Sequence, residues 1–527
     1  MGRRVALALT LVLSLALVGM GETVLRATIT ATPESLDPAV ALNENEWKVA
    51  VSLYDFLVYP AREDGSPLPS LATSWEVSDD SLVWTFHLRE GVTFHDGTEL
   101  TAEDVKFSMD RMIAIGEGNA HFFIGRVAET RVIDPYTVQF ILSEPFGPFL
   151  VTLYRFGIVS KDLVMANLQD GMYGDYGDYA KDYLITHDGG SGPYVATEFK
   201  IRDSVTMEKF AGYWEGVAED APDKVVMTQL LEAATTKMLM GSGEVDLVHG
   251  RQEMATLEAL LATDDVEQAP LPEMAINFFM INTKKPPTDD VHVRRAMAYA
   301  TDYDGMIDIY PGSDRALGPV PPQVFGYAED LEGYTRNLEL AKEELKKSRY
   351  YGELDKYPIE LSYIQGNGDT AKLAMLFAVN MQEIGLRANI VEAPWVLFCN
   401  KEETLETSPH VTNLFASCSY PEAGSILELK YASWTVGGWN QNEWLQDPTF
   451  DAAIQEALTT VDPDKRAELY AEMQHYLVED VCPSIFTFVS VLKPAYRSDR
   501  FTWPAGEGNP HAILEFNFNM KDFRMQQ

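Results

Sequence analysis

Hydrophobic positions recur along this chain in three rhythms, and each predicts an element. In Leu82–Arg89, Trp84, Phe86 and Leu88 alternate with Thr85, His87 and Arg89, the period of two that marks a half-buried strand. Glu90-Gly91 then turns the chain, and Val92–His95 is expected to run back as the second arm of a hairpin, closed by Asp96-Gly97. The next stretch, AEDVKFSMDRMI, carries the helical period behind Thr101, whose hydroxyl suits the first turn. Glu103 and Asp104 sit where the helix dipole favours anions. Strand–helix–strand patterns cover 224–250 and 357–393, as in an α/β protein. Unbroken apolar runs, LPEMAINFF (Leu271–Phe279) and CPSIFTFVSVL (Cys482–Leu492), read as buried extended segments.

The N-terminus has a different rhythm. Arg3 and Arg4 precede an uninterrupted apolar run, Val5–Gly19, and Gly19 and Gly21 supply small residues at the −3 and −1 positions. This predicts a secretory signal peptide, residues 1–21, cleaved after Gly21, with no cysteine nearby for lipid attachment. A soluble periplasmic protein is expected.

Composition narrows the function classes. The 527 residues are 46% hydrophobic, enough for a large core. Lys plus Arg number 41 against 80 Asp plus Glu, a net charge of −39 that becomes −41 without Arg3 and Arg4. Nucleic-acid binding, which needs a basic footprint, is excluded as a partner class. The cysteines are Cys399, Cys418 and Cys482. An oxidising compartment permits one disulfide and one leftover thiol. Cys399–Cys418, closing a short loop, is the expected pair, with the alternatives open.

Candidate chemistry is sparse. GNGDTA (Gly366–Ala371) follows an apparent strand and opens a helix, and Glu392 lies 26 residues past Gly366. This imitates a dinucleotide fingerprint, but the third glycine is Ala371 and an exported chain is a poor place for NAD chemistry. No G-x-S-x-G elbow and no H-E-x-x-H occurs. Cys482 sits in an apolar run that suits a buried thiol. His87, His95 and Asp96 are close in sequence but fall on polar faces of the expected hairpin, and the nine histidines form no ligand cluster. A metal-chelate ligand, of the nickel kind, is a minor alternative. The expectation is no catalytic residue, no metal and no cofactor.

The stretch Leu71–Arg111, LATSWEVSDDSLVWTFHLREGVTFHDGTELTAEDVKFSMDR, resembles the signature region of the large substrate-binding proteins of ABC importers, the peptide-, nickel- and oligosaccharide-binding family (family 5, cluster C). Other segments follow in that family's order: SLDPA (Ser35–Ala39), YDFLVY (Tyr54–Tyr59), SGPYVATEF (Ser191–Phe199), KFAGYW (Lys209–Trp214), Ile281–Asp302, LQDPTFDAAIQEA (Leu445–Ala457) and FNFNMKDF (Phe516–Phe523). The resemblance spans nearly all of the chain after residue 21. It implies an α/β fold of two lobes, type II periplasmic-binding-protein-like, with an inserted subdomain. The implied division is lobe I from 22–54, 189–277 and 486–527, the insert 55–188, and lobe II 278–485, with the two apolar runs near the strands that join the lobes. It also implies a monomer that captures a solute in the interlobe cleft, closes over it by hinge motion and delivers it to ABC permease subunits in the membrane.

Peptide binders of the family pair the peptide amine with an Asp in an A-D-Y-x-[DE]-P pattern. The corresponding run is ASCSYPEAG, and aligning Tyr420 and Glu422 places Ser419 where that Asp would stand. A buried ammonium needs such a partner, so peptide capture requires an acid from elsewhere, such as Glu44. Trp434 and Trp439 lie in Gly-containing loop sequence, and Trp395 follows a proline. Such rings suit stacking on sugar faces. The candidate ligand residues are Trp395, Trp434, Trp439, Asn440, Ser419, Tyr420, Asn43, Glu44 and His249. The ligand is read as an oligosaccharide or an oligopeptide, with a slight tilt to the sugar. An exported hydrolase on the same scaffold is the competing class, and no nucleophile with a base supports it.

Overall fold

The computed structural model describes residues 22–526, apart from residues 231 and 367; the expected signal peptide lies outside them. Two large sheets organise the chain. The first has seven strands in the spatial order Val266–Gln268, Ala495–Arg497, Leu247–Val248, Val24–Ile29, Lys224–Gln229, Ser204–Lys209, Tyr194–Lys200. The stretch 224–250 forms the expected unit, and its two strands flank Val24–Ile29, both parallel to it. Its helix, Ala233–Ser242, starts where the Glu232 carboxylate accepts the Ala234 and Thr235 amides and stops at Gly243, whose φ of 74° a side chain would resist.

The second sheet has six strands, ordered Asp314–Arg315, Ser484–Leu492, Leu271–Ile281, Val411–Ser417, Ile359–Ile364, Ala388–Ala393. The last three are parallel, and helix Gly368–Glu383 connects Ile359–Ile364 to Ala388–Ala393. The GNGDTA run is therefore an ordinary strand-to-helix turn.

The two apolar runs pass side by side from one sheet to the other. Val266–Gln268 pairs antiparallel with Ala495–Arg497 in the first sheet. The same two chain segments continue as Leu271–Ile281 and Ser484–Leu492, antiparallel in the second. Between them the Ala269 amide donates to the Pro494 carbonyl. Alternation along Leu271–Ile281 feeds two cores: Phe278 and Met280 join one cluster, Phe279 and Ile281 another. Both faces are covered, which is why the run is apolar without a break.

Residues between the first and later strands of the seven-stranded sheet build a four-stranded antiparallel sheet, ordered Ala72–Val77, Val83–Leu88, Thr137–Leu142, Val127–Asp134. Trp84, Phe86 and Leu88 are buried and His87 is exposed, as the alternation requires. The expected hairpin is not formed. Val83–Leu88 pairs with Ala72–Val77 and Thr137–Leu142, while Val92 and Phe94 turn into the core from a loop with a single bridge, Thr93 to Glu99. Burying those two side chains outweighs a second arm. Helix Ala102–Ile115 begins as predicted, although the Thr101 hydroxyl donates to the Asp104 carboxylate, which also accepts the Thr101 amide.

His95 likewise departs from the polar face. Its ring is buried between the Asp188 carboxylate and the Gly192 carbonyl. Burial alone would lower its pKa, but the hydrogen bond and charge of Asp188 win and raise it. A raised folded value contributes stability that is full below the unfolded pKa and lost as pH rises through the folded one. His95→Gln should therefore cost about 1–3 kcal/mol at pH 5.5 and less at pH 9, by urea unfolding. Equal losses at both pH values would show the imidazolium to be unimportant.

Candidate functional site: a charged cleft between the sheets

A cavity of about 390 Å³ opens between the two large sheets. One wall is Ser417–Ser419, at the C-terminal end of a parallel strand, the position where ligands approach open α/β sheets. Phe415 and the Glu273–Ala275 part of a crossing strand extend it. The opposite wall carries Asn43, Glu44, Arg155, Arg251 and Glu515.

Local structure fixes each of these side chains. Asn43 caps helix Glu44–Leu53: its Oδ1 accepts the Asn45 and Glu46 amides, and Glu46 accepts the Asn43 amide in return. Glu44 is thereby set at the first turn, paired with Lys48 and, at 2.6 Å, with Arg251 Nη2. Arg251 reaches onward to Glu273 at 2.5 Å. Burial alone would raise the Glu44 pKa, but Lys48 and Arg251 overcome it and hold the carboxyl at about 2. Burial works against the Arg251 charge, and Glu273 and Glu44 more than offset it. Glu44 and Arg251 therefore stay ionised across the physiological range.

Arg155, 6% exposed, closes a short helical turn, Leu153–Arg155. Its Nε donates to the Ser419 carbonyl across the cleft at 3.1 Å, and Nη2 pairs with Glu515 at 3.2 Å. Its Nη1 is buried without a hydrogen-bond partner. A buried guanidinium nitrogen on a cavity wall with no acceptor is a place for a ligand oxygen.

Of the residues singled out from sequence, Asn43, Glu44 and Ser419 line this cavity together. Ser419 has its amide on the Ser425 hydroxyl and its carbonyl on Arg155. Tyr420 is buried behind it, ring edge against Phe122 at 5.4 Å. His249 is buried beside the cleft, its Nε2 near the Leu230 carbonyl and Gln252; burial is the main cause that pushes its pKa down to about 4. Trp395, Trp434, Trp439 and Asn440 do not line the cavity. Trp395 and Trp434 are 44% and 52% exposed, and Trp439 meets Trp395 edge-on at 5.3 Å. Sequence reasoning missed Arg155, Arg251, Glu273 and Glu515. The expected Cys399–Cys418 disulfide is absent and all three thiols are free: Cys418 is buried on the cavity wall, whereas Cys399 sits on helix Trp395–Glu402.

Trp439 covers a second set of charges. The Lys430 ammonium, 5.7 Å from its ring, is buried with Glu402 and Glu443. Burial pushes both carboxyls up to about 7 and the Lys430 amine down to about 8. Between pH 4.5 and 7 the unfolded chain releases the Glu402 proton while the fold retains it, so this group lowers stability as pH rises through that window. Glu402→Gln should remove a loss on the order of 2–3 kcal/mol between those pH values. Parallel stability–pH curves for the two proteins would refute this.

A two-lobed α/β protein with paired crossing strands and a ligand-sized cleft is a binding protein by architecture. The similarity to known proteins agrees. Residues 66–437 match the family of bacterial extracellular solute-binding proteins, family 5 middle. The chain is 26% identical over 497 residues to the dipeptide-binding protein of Escherichia coli, covering 88% of this chain and 89% of that one. It is 26% identical over 463 residues to the probable D,D-dipeptide-binding periplasmic protein DdpA of the same organism, covering 85% of each. The structure of the periplasmic binding protein DppA from Helicobacter pylori, in complex with the peptide STSA, superposes with a TM-score of 0.77 at 22% identity, over 96% of this chain and 98% of that one. The chain belongs to family 5 of the bacterial extracellular solute-binding proteins. It is a substrate-binding protein of an ABC importer. Among the described residues no helix is long and apolar enough to cross a membrane.

Proposed function

We propose that this protein captures a short peptide, or a solute that likewise carries an anionic and a cationic end, and presents it to membrane permease subunits. The observation that carries this reading is the Arg155 Nη1 without an acceptor in a cleft that also bears Glu44, Glu273 and Glu515. A ligand carboxylate meets the guanidinium, and an ammonium meets one of the carboxylates, Glu44 being the one foreseen to replace the acid missing at Ser419. Each partner offsets the desolvation cost of the ligand end it meets. The cavity volume lies within the range of small-ligand sites. The names of the relatives, which specify dipeptides, support the same class. Of the rings read as platforms for a neutral oligosaccharide, Trp395, Trp434 and Trp439, none lines the cavity, where Phe415 is the aromatic side chain present.

The working cycle follows from the paired crossings. Hinge motion at 269–270 and 493–494, a few residues before and after the bounds at 277/278 and 485/486 read from the sequence, separates the lobe of the six-stranded sheet from the lobe of the seven-stranded sheet with its insert (55–188). Ligand touching both walls shifts the population to the closed form. The exported protein works as a monomer in the periplasm after removal of residues 1–21, and it binds without catalysing a reaction. The test is calorimetry against di- and tripeptides, their N-acetylated and amidated forms, and neutral oligosaccharides. Free peptides should bind at micromolar or better, and blocking either end should weaken binding at least tenfold. Tight binding of oligosaccharides, with peptides rejected, would overturn the reading.

A further inference from the structure

A smaller cavity, of about 150 Å³, adjoins the cleft. Three side chains line both spaces: Arg251, Glu273 and Phe415. Arg251 spans the boundary. Its base is fixed by the residue before it. Gly250 packs on the crossing strand Ser484–Leu492 so closely that a Cβ there would stand 2.4 Å from Leu492 Cγ, and its carbonyl accepts the Lys493 amide at 3.4 Å. The tip of Arg251 is held by Glu44 on one side and Glu273 on the other. Both carboxylates have a second donor, Lys48 for Glu44 and the Ser490 hydroxyl for Glu273. Behind this bar the apolar walls are Met254, Leu257, Val491 and Leu492. Among the described residues, the other charged groups that line the chamber are engaged: Lys493 donates to the Pro311 carbonyl, and Asp369 pairs with Lys372 at 2.6 Å.

We propose that Arg251 sets the length of peptide the cleft accepts: it caps the site at the ammonium end, and the chamber behind it is the room that one more residue would need. This role rests on the peptide reading of the cleft, in which the ligand ammonium meets Glu44. An extension at that end must pass the Arg251 side chain, and the ammonium it carries must pass a guanidinium that repels it. Selectivity of this kind comes from a clash and a like charge, not from an added attraction. The chamber is worth closing off, because about 150 Å³ holds a group the size of benzene. Without Arg251 the two spaces join, and Glu273 is left to receive the ammonium of the longer ligand. The Arg251 side chain is 46% exposed, so replacing it removes little packing from the core.

The probe is the tightest-binding peptide of the calorimetric panel, extended by one alanine at its N-terminus or at its C-terminus. In the unaltered protein the N-terminal extension should weaken binding at least tenfold, a readout that needs no variant. In Arg251→Ala the ratio of the two affinities, extended to unextended, should rise at least tenfold for the N-terminal alanine and stay within threefold for the C-terminal one. A general loss of affinity cancels in that ratio. Arg251→Lys keeps a positive stem across the boundary and should leave the ratio as in the unaltered protein. Met254→Trp added to Arg251→Ala refills the chamber from the half-buried Met254 position and should restore the penalty. An N-terminal extension tolerated by the unaltered protein, or a ratio that Arg251→Ala does not move, would overturn the cap and leave the peptide reading standing. Rejection of every peptide by the unaltered protein would overturn both.

Discussion

Arg155→Gln is expected to weaken capture of the cleft ligand at least thirtyfold. The guanidinium performs three tasks with three nitrogens. Nε holds the Ser419 carbonyl across the cleft, Nη2 neutralises Glu515, and Nη1 waits for an acceptor. Glutamine loses the charge and cannot reach all three. Truncating one partner of a buried, hydrogen-bonded charge pair costs about 2–5 kcal/mol, and about 1.4 kcal/mol is tenfold. Arg155→Lys keeps the charge without the planar fork and should fall between. Calorimetry with the best peptide from the panel decides it. An affinity within threefold of the unaltered protein would remove Arg155 from the site.

Asp37→Ala should destabilise the fold by about 3–5 kcal/mol without touching the cleft. Asp37 accepts from Arg111 Nη1 at 2.8 Å and Nη2 at 2.5 Å, and both side chains are 1% exposed. Arg111 also donates to the Tyr179 carbonyl. Deleting the carboxylate strands a guanidinium in the core, which is far costlier than replacing the whole pair by apolar residues. The double change Asp37→Leu with Arg111→Leu should therefore be milder than Asp37→Ala alone. Urea unfolding at neutral pH measures both. A loss under 1 kcal/mol for the single change would mean that the pair is solvated or replaced.

That ion pair also explains what the sequence could and could not tell. SLDPA and FSMDR are separate stretches of text, yet Asp37 of one and Arg111 of the other make a single buried contact, so the two stretches are complementary halves. His95 and Asp188 repeat the arrangement across 93 positions. Local pattern announced helix Ala102–Ile115 and the crossing strands, because periodicity and apolar runs report burial at short range. The return of Val92–His95 was misjudged because the competing partner of Val83–Leu88 is Thr137–Leu142, about fifty residues on. The cleft charges were hardest. Arg155, Arg251, Glu273 and Glu515 come from four segments with no common spacing, and only their convergence makes them a site. Glu44 and Ser419 were within reach because a family pattern drew attention to a missing acid. For the tryptophans, loop sequence around Trp434 implied exposure correctly, but exposure carries no address.

The unpaired thiols have a practical use. Cys482 is packed in the core around Phe279, Cys399 is partly open to solvent, and Cys418 lies at 3% exposure on the cleft wall. Burial raises the Cys418 pKa, so an alkylating reagent meets a protonated, shielded sulfur while the lobes are together. The chain thus contains its own clock. Maleimide should consume Cys399 at once and Cys482 only on unfolding, while the rate at Cys418 counts excursions to the open form. Mass-resolved labelling with and without peptide would read the hinge directly. A Cys418 rate indifferent to saturating peptide would mean that the lobes do not part there.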